Sequence, residues 1–182
     1  MQNEVTIRGA RLDDLDGLIE LENTCFTVDR LSRRSFLRWL KGEHCLFLVA
    51  ASDDELLGYG LVLLHSGTRL ARLYSIAVAP AARGRGIAQQ LITVLEEAAE
   101  EEDRFFMRLE VAKDNQAAIR LYEKFGYSVF DELEDYYEDH SDALRMQKRI
   151  RFPEHWSHEP PVPWFAQSTE FTCGPACLMM LM

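Results

Sequence analysis

Between Ala71 and Phe130 the chain alternates strand, helix, strand, helix, strand, and this order constrains the fold more than any other feature. Ala71 to Val78 is an apolar run that Pro80 stops, because proline cannot donate to a sheet ladder. A glycine-rich turn follows, then a helix from about Gly86 to Glu102. Ile87, Leu91, Leu95 and Ala98 line one face of that helix, and Glu96, Glu97, Glu100 and Glu101 fall toward solvent. Phe105 to Val111 reads as a strand. Asp114 or Asn115 opens another helix through Ala118, Leu121 and Tyr122, and Gly126 closes it. Tyr127 to Phe130 is the next strand. Helical crossovers join parallel strands, so the sheet must be at least partly parallel.

The flanking segments add to that centre. Val5 to Arg8 reads as a first strand. Asp13 or Asp14 can cap a helix carrying Leu15, Leu18, Ile19 and Leu21. Ser32 can cap a second helix that turns Phe36, Leu37 and Leu40 inward and ends at Gly42. Cys45 to Ala51 and Leu56 to Leu64 read as a hairpin around Asp53 and Asp54. Ala143 to Ile150 is a last strand. The fold class is therefore α/β with α+β layering: a mixed central sheet of about seven strands flanked by about four helices. Residues 1–151 make one domain. Residues 152–164 are a linker in which Pro153, Pro160, Pro161 and Pro163 preclude helix or central strand. A new segment covers 165–182.

Composition limits the function. Of 182 residues, 47% are hydrophobic, which is a globular balance. The net charge of −10 disfavours nucleic acid as a partner. Surplus acid suits a cationic acceptor, and it equally serves solubility. The first eleven residues lack an apolar export core, and no apolar run is long enough to cross a bilayer, so a cytoplasmic protein with no membrane partner is expected. The four cysteines then read as free thiols, with Cys25 and Cys45 as small core residues. A homodimer is compatible with the sequence.

The turn after Pro80 is the first chemical signal. A diphosphate needs several N–H donors converging on a concave spot, and a sharp turn into a helix supplies them. In Arg83-Gly84-Arg85-Gly86-Ile87-Ala88, the two glycines let the backbone approach a ligand and Ala88 keeps the helix close. Arg83 and Arg85 place positive charge where an anion would sit. The dinucleotide fingerprint fails because position 89 is Gln89, and no Gly-Lys-Ser/Thr follows. An ordinary helix-capping turn accounts for Gly-x-Gly alone.

The context extends the pattern. Leu73-Tyr74-Ser75-Ile76-Ala77-Val78-Ala79-Pro80 followed by Arg83-x-x-Gly86-x-Ala88 resembles the acetyl-CoA-binding core of the GCN5-related N-acetyltransferases. A second block downstream, Leu109-Glu110-Val111 with Asn115, Ala118, Leu121-Tyr122 and Gly126-Tyr127, matches as well. The resemblance covers about residues 4 to 150 and is nearest to bacterial ribosomal-protein-alanine N-acetyltransferases. It implies an enzyme moving an acetyl group from acetyl-CoA to a primary amine, either a peptide or protein N-terminus or a small amine.

Such a transfer needs a base, because an α-amine is protonated below a pKa of about 8, and a proton for the departing sulfur. Glu110 lies among apolar strand neighbours and reads either as that base or as an edge carboxylate. The resemblance implies the base. It implies Tyr122 as the acid, where a core-packed aromatic is the plain alternative. Asn115 is then a cofactor contact or a helix cap, and Ile76, Ala77 and Val78 offer backbone N–H to the thioester carbonyl. Tyr136 and Tyr137 resemble a loop closing the acceptor groove, with a solvated acidic hairpin as the alternative. Phe26, Arg30 and Leu31 form the opposite wall.

A separate signal lies near the end. Gln167 stands six positions before Cys173, which opens an apolar run, an arrangement resembling the start of a double-glycine leader peptidase domain. No histidine follows Cys173, so this chain alone is not expected to have peptidase activity. The Cys173-x-x-x-Cys177 spacing is poor for zinc, with His155 and His158 the nearby candidates, and no metal is expected.

Overall fold

The computed structural model describes residues 4–53 and 55–151. In chain order they form β1 (Thr6–Gly9), α1 (Leu15–Cys25), α2 (Arg33–Leu40), β2 (Cys45–Ser52), β3 (Glu55–Leu64), β4 (Leu70–Val78), α3 (Ile87–Glu101), β5 (Phe106–Ala112), α4 (Gln116–Lys124), β6 (Ser128–Leu133) and β7 (Ala143–Arg149). The strands make one mixed sheet in the order β1-β2-β3-β4-β5-β7-β6. The linker and the peptidase-like segment expected at 152–182, Gln167 and Cys173 included, lie outside the described residues.

The expected parallel pairing occurs between β4 and β5. The second crossover, through α4, differs from a simple repeat. Strand β7 inserts antiparallel between β5 and β6, so those two are not neighbours. A hairpin return is short enough to place β7 in that gap, which strand order alone does not reveal.

Helices cover the sheet on both faces. On one, Ile87, Leu91 and Leu95 of α3 pack on Val62, Leu73 and Ile76. On the other, Leu18 and Leu21 of α1 and Phe36 of α2 cover Tyr59, Leu61 and Ala77. Phe36 meets the edge of Tyr59 at 5.7 Å between ring centroids. Each such side chain, fully buried, contributes about 2 kcal/mol of transfer free energy.

Two local expectations change. Asp14 does not cap α1 with its side chain. Its oxygens instead accept from Arg8, at 2.8 Å each, and from the Arg11 N–H at 2.7 Å. A guanidinium gives a carboxylate two parallel bonds, more than one helix N–H offers. Glu96 does not face solvent: it accepts from the Tyr127 hydroxyl at 2.8 Å and from Lys148 at 2.7 Å, tying α3 to β7. Ser32 caps α2 as its position predicts, accepting from the Ser35 N–H at 3.1 Å.

Strand β4 carries the feature that shapes the site. Leu61 faces Ser75 and Val62 faces Leu73, so Tyr74 is an extra residue, a β-bulge. Bulges bend their strand and sharpen its twist. The last β4–β5 register pair is Arg72 with Arg108, immediately before the bulge. The two parallel strands part there, and residues 73–78 of β4 run on beside β3 alone.

Candidate active site

Beyond Val78, a short turn at Pro80–Ala82 delivers the chain to α3. The Arg83 Nε donates to the Val78 carbonyl at 3.3 Å and pins the turn to the strand end. Gly84 and Gly86 have φ of 77° and 75°, the left-handed region that glycine enters at little cost. Gly86 is the N-cap of α3 and has no side chain to accept from the first-turn N–H groups. No acidic residue lies in that turn. A Cβ on either glycine would meet nothing within 4 Å, so the space before the helix is open. Helix dipole, first-turn N–H groups and the exposed Arg85 make this end of the molecule a fit for a diphosphate. Ile87 and Ala88 are buried and seat the helix against the sheet.

Past the parting of β4 and β5, Glu110 is 2% exposed. Its strand neighbours are apolar, but its partners across the sheet are not. The Arg72 Nε donates to one carboxylate oxygen at 3.1 Å and the Arg145 Nε to the other at 3.2 Å. Arg72 also donates to the Tyr136 hydroxyl at 3.0 Å. Burial alone would lower the Arg72 pKa, and Glu110 and Tyr136 more than offset it, leaving it raised. The apolar surroundings expected of Glu110 are thus replaced by a guanidinium pair, supplied by β4 and β7, which sequence adjacency cannot show.

Tyr122 is fully buried on α4, its ring 5.7 Å from that of Tyr127. Asn115 is the N-cap of α4 and accepts from the Ala118 N–H at 3.2 Å. Ile76, Ala77 and Val78 turn buried side chains into the two cores. Their backbone lies on the part of β4 that has left β5.

The segment after α1 and the loop between β6 and β7, expected as opposite walls, touch through Asp29 and Glu138. The Asp29 N–H donates to Glu138 at 3.2 Å, and the Glu138 N–H donates to Asp29 at 3.3 Å. Burial pushes the Asp29 carboxyl up. Arg30 is exposed, its Nε bonded to the Phe26 carbonyl at 2.7 Å. Phe26 and Leu31 are buried core residues packed with α1 and α2, so of the three expected wall residues only Arg30 is exposed. Tyr137 is likewise buried, against Ala112 and Ala143, whereas Tyr136 is half-buried beside Arg72.

The sequence model of the Acetyltransferase (GNAT) family matches residues 15–127. A Bacillus subtilis relative named for ribosomal protein bS18-alanine N-acetyltransferase activity is 30% identical over 148 residues, 80% of this chain and 96% of its own. An N-alpha-acetyltransferase of Saccharolobus solfataricus is 30% identical over 158 residues, 81% of this chain and 94% of its own. The chain belongs to the GNAT acetyltransferase family. The crystal structure of the Escherichia coli ribosomal-protein-S18-alanine N-acetyltransferase superposes with a TM-score of 0.76 at 24% identity, covering 86% of this chain and all of the other, and shares its fold. This GNAT protein is accordingly an N-acetyltransferase, and acetyl-CoA is the acetyl donor of its family. The model of the Peptidase_C39 like family matches residues 162–182.

One titratable residue of this acetyltransferase escaped sequence reasoning. Glu22, on α1, is 2% exposed. It accepts from the Leu31 N–H at 2.8 Å and from the Tyr59 hydroxyl at 2.6 Å, and Tyr59 lies 2.7 Å from the Ser75 hydroxyl. Burial pushes its carboxyl up to about 7. A glutamate in a helix rich in acid gives no sign of facing inward; only its i−4 and i+3 neighbours, Leu18 and Cys25, hint at the buried stripe. Cys25, one turn on, lies 3.4 Å from the Val78 carbonyl, and burial pushes its thiol up. Among the described residues no helix is long and apolar enough to cross a membrane, and no three metal-ligating side chains gather.

Proposed function

We propose that this N-acetyltransferase acts on the α-amine of a peptide or protein N-terminus, with Glu110 as base and Tyr122 as acid. The observation that carries the reading is the parting of β4 and β5 at the Tyr74 bulge, with the open α3 N-terminus at one end and Glu110 just past the split. The relatives named for ribosomal-protein-alanine and N-alpha acetylation support a polypeptide acceptor over a small amine.

Bound acetyl-CoA supplies a thioester carbonyl and a thiolate leaving group. The chain's own residues do the rest. The first-turn N–H groups of α3, with Arg83 and Arg85, hold the diphosphate. Gly84, Gly86 and Ala88 leave room for it. Asn115, the cap of α4, contributes a cofactor contact beside its capping role. The backbone of Ile76 to Val78 offers N–H to the carbonyl oxygen as charge develops there. Glu110 takes the proton that the acceptor amine loses, directly or through water. A carboxylate has about four acceptor positions, and two guanidinium bonds leave the others open. Tyr122 gives a proton to the sulfur, and solvent rebalances the two groups. Tyr136, Arg30 and the Asp29–Glu138 contact frame the acceptor.

The test follows thiol release with acetyl-CoA and a peptide panel. Glu110→Gln should lower kcat by about 100-fold, the ordinary worth of a positioned base, with acetyl-CoA affinity retained. Unchanged turnover removes Glu110 from the role. Arg85→Glu should instead weaken acetyl-CoA binding by calorimetry, and unaltered affinity counts against the cradle.

A second reading rests on the Peptidase_C39 like match at 162–182. In it, acetylation and a cysteine peptidase segment containing Gln167 and Cys173 serve one longer polypeptide. Coincident loss of peptide cleavage on Cys173→Ser in such a polypeptide would establish it.

A further inference from the structure

The chain carries a net charge of −10, yet the sheet face around Glu110 is locally basic. Helices α1 and α2 pack over β2, β3 and β4. Strands β5 and β7 continue beyond them and present the half-buried Arg108, Arg145 and Gln147. Register places these together: Arg108 faces Gln147 and Glu110 faces Arg145 across β5 and β7, while Arg72 faces Arg108 across β4 and β5. Two guanidiniums therefore bond one buried carboxylate, and a third stands two residues along the same strand. Arg72 and Arg145 both spend their charge on Glu110, and Arg145 lies a further 3.7 Å from Asp131.

Arg108 is different. Its donors go to the neutral side-chain oxygen of Gln147, at 3.2 and 2.9 Å, and its guanidinium lies over the Phe130 ring at 4.9 Å. Among the described residues no carboxylate forms an ion pair with it. Phe130 is 47% exposed, a large apolar side chain left on the surface beside that cation. Burial, and next Arg145, push the Arg108 pKa down, against an opposing pull from Glu110 and Asp131. Arg108 thus feels these carboxylates only at a distance, and a ligand carboxylate would meet it directly in the fork geometry that arginine favours.

We propose that Arg108 reads a carboxylate side chain of the acceptor, so that the preferred substrate is a polypeptide N-terminus with Asp or Glu at its second or third position. This rests on the reading of Glu110 as base to the α-amine. Arg108 precedes Glu110 by two residues on one strand face, roughly 7 Å at ordinary strand rise. An extended acceptor whose amine meets Glu110 covers the same span in two residues, with Phe130 packing against its apolar atoms.

The test uses the full chain and matched peptides bearing Glu, Gln, Asp, Asn or Lys at positions two and three, scored by kcat/KM from thiol release. Wild type should favour Glu over Gln and Asp over Asn by about tenfold or more, as a charge-assisted fork implies. The preference should shrink with added salt. Arg108→Gln should erase the preference while leaving the rate on the Gln and Asn peptides near wild type, and Arg108→Lys should retain part of it. Equal wild-type rates on Glu and Gln peptides overturn the inference, whatever the variants do, as does a preference that survives Arg108→Gln. Failure of the broader reading looks different: no peptide of any kind releases thiol, while a small amine does.

Discussion

Glu22 sets up a pH dependence that can be worked through at one residue. Its carboxyl is pushed from an ordinary 4.5 to about 7 by burial. The folded state therefore holds that proton more tightly than the unfolded chain does. Stability from this group is full below about pH 4.5 and is lost as pH rises through about 7. The whole effect is on the order of 3 kcal/mol. Glu22→Gln removes the ionisation but keeps the shape. Urea midpoints at about pH 5 and about pH 8 should show the variant gaining about 2–3 kcal/mol on wild type across that interval. A constant difference would mean that Glu22 is ordinary in the folded state. Tyr122 allows a second check. Tyr122→Phe keeps the ring packing with Tyr127 and removes the proton, so kcat should fall by about 10- to 100-fold with little change in thermal midpoint. Equal loss of both would make Tyr122 a packing residue.

At the scale of elements, the turn into α3 joins fold to chemistry. Gly86 has φ of 75° and opens onto empty space. Gly86→Val imposes a β-branched side chain on a left-handed cap and sets it in the mouth of the cradle. A stability loss of about 1–3 kcal/mol is expected from the backbone alone. Acetyl-CoA affinity should fall further than that loss explains when measured well below the melting midpoint. The order of strands and helices was legible because periodicity, Ser32, Asn115, Pro80 and Gly126 are local signals. What was not legible depended on partners distant along the chain. Asp14 found Arg8 instead of a helix N–H, Glu96 found Tyr127 and Lys148, and β7 took the place beside β5. The glycine turn entering α3 was legible for the same local reason, since it is contiguous. The surroundings of Glu110 were not, because Arg72 is 38 residues away and Arg145 is 35.

For the molecule as a whole, the bulge at Tyr74 creates a mechanical problem. Once β4 and β5 part, the β1–β4 portion and the β5–β7 portion share few backbone pairs. The ion pair of Arg72 with Glu110 spans that joint, with side chains 12% and 2% exposed. Water screens it little, so it belongs to the buried class in which losing one partner is costly. Arg72→Met should destabilise by about 2–4 kcal/mol, somewhat below the usual range because Arg145 still holds Glu110. The loss should be coupled: Arg72→Met with Glu110→Gln should cost less than the two single changes added together, by about 1–2 kcal/mol. The joint also predicts where the loosening appears. Amide exchange in β5 and β7 should accelerate more than in β2 and β3, whose hairpin does not cross the split. Uniform acceleration, or strict additivity in the cycle, would show that the parted sheet is held by α3 and the shared cores, and that Arg72 serves the site alone.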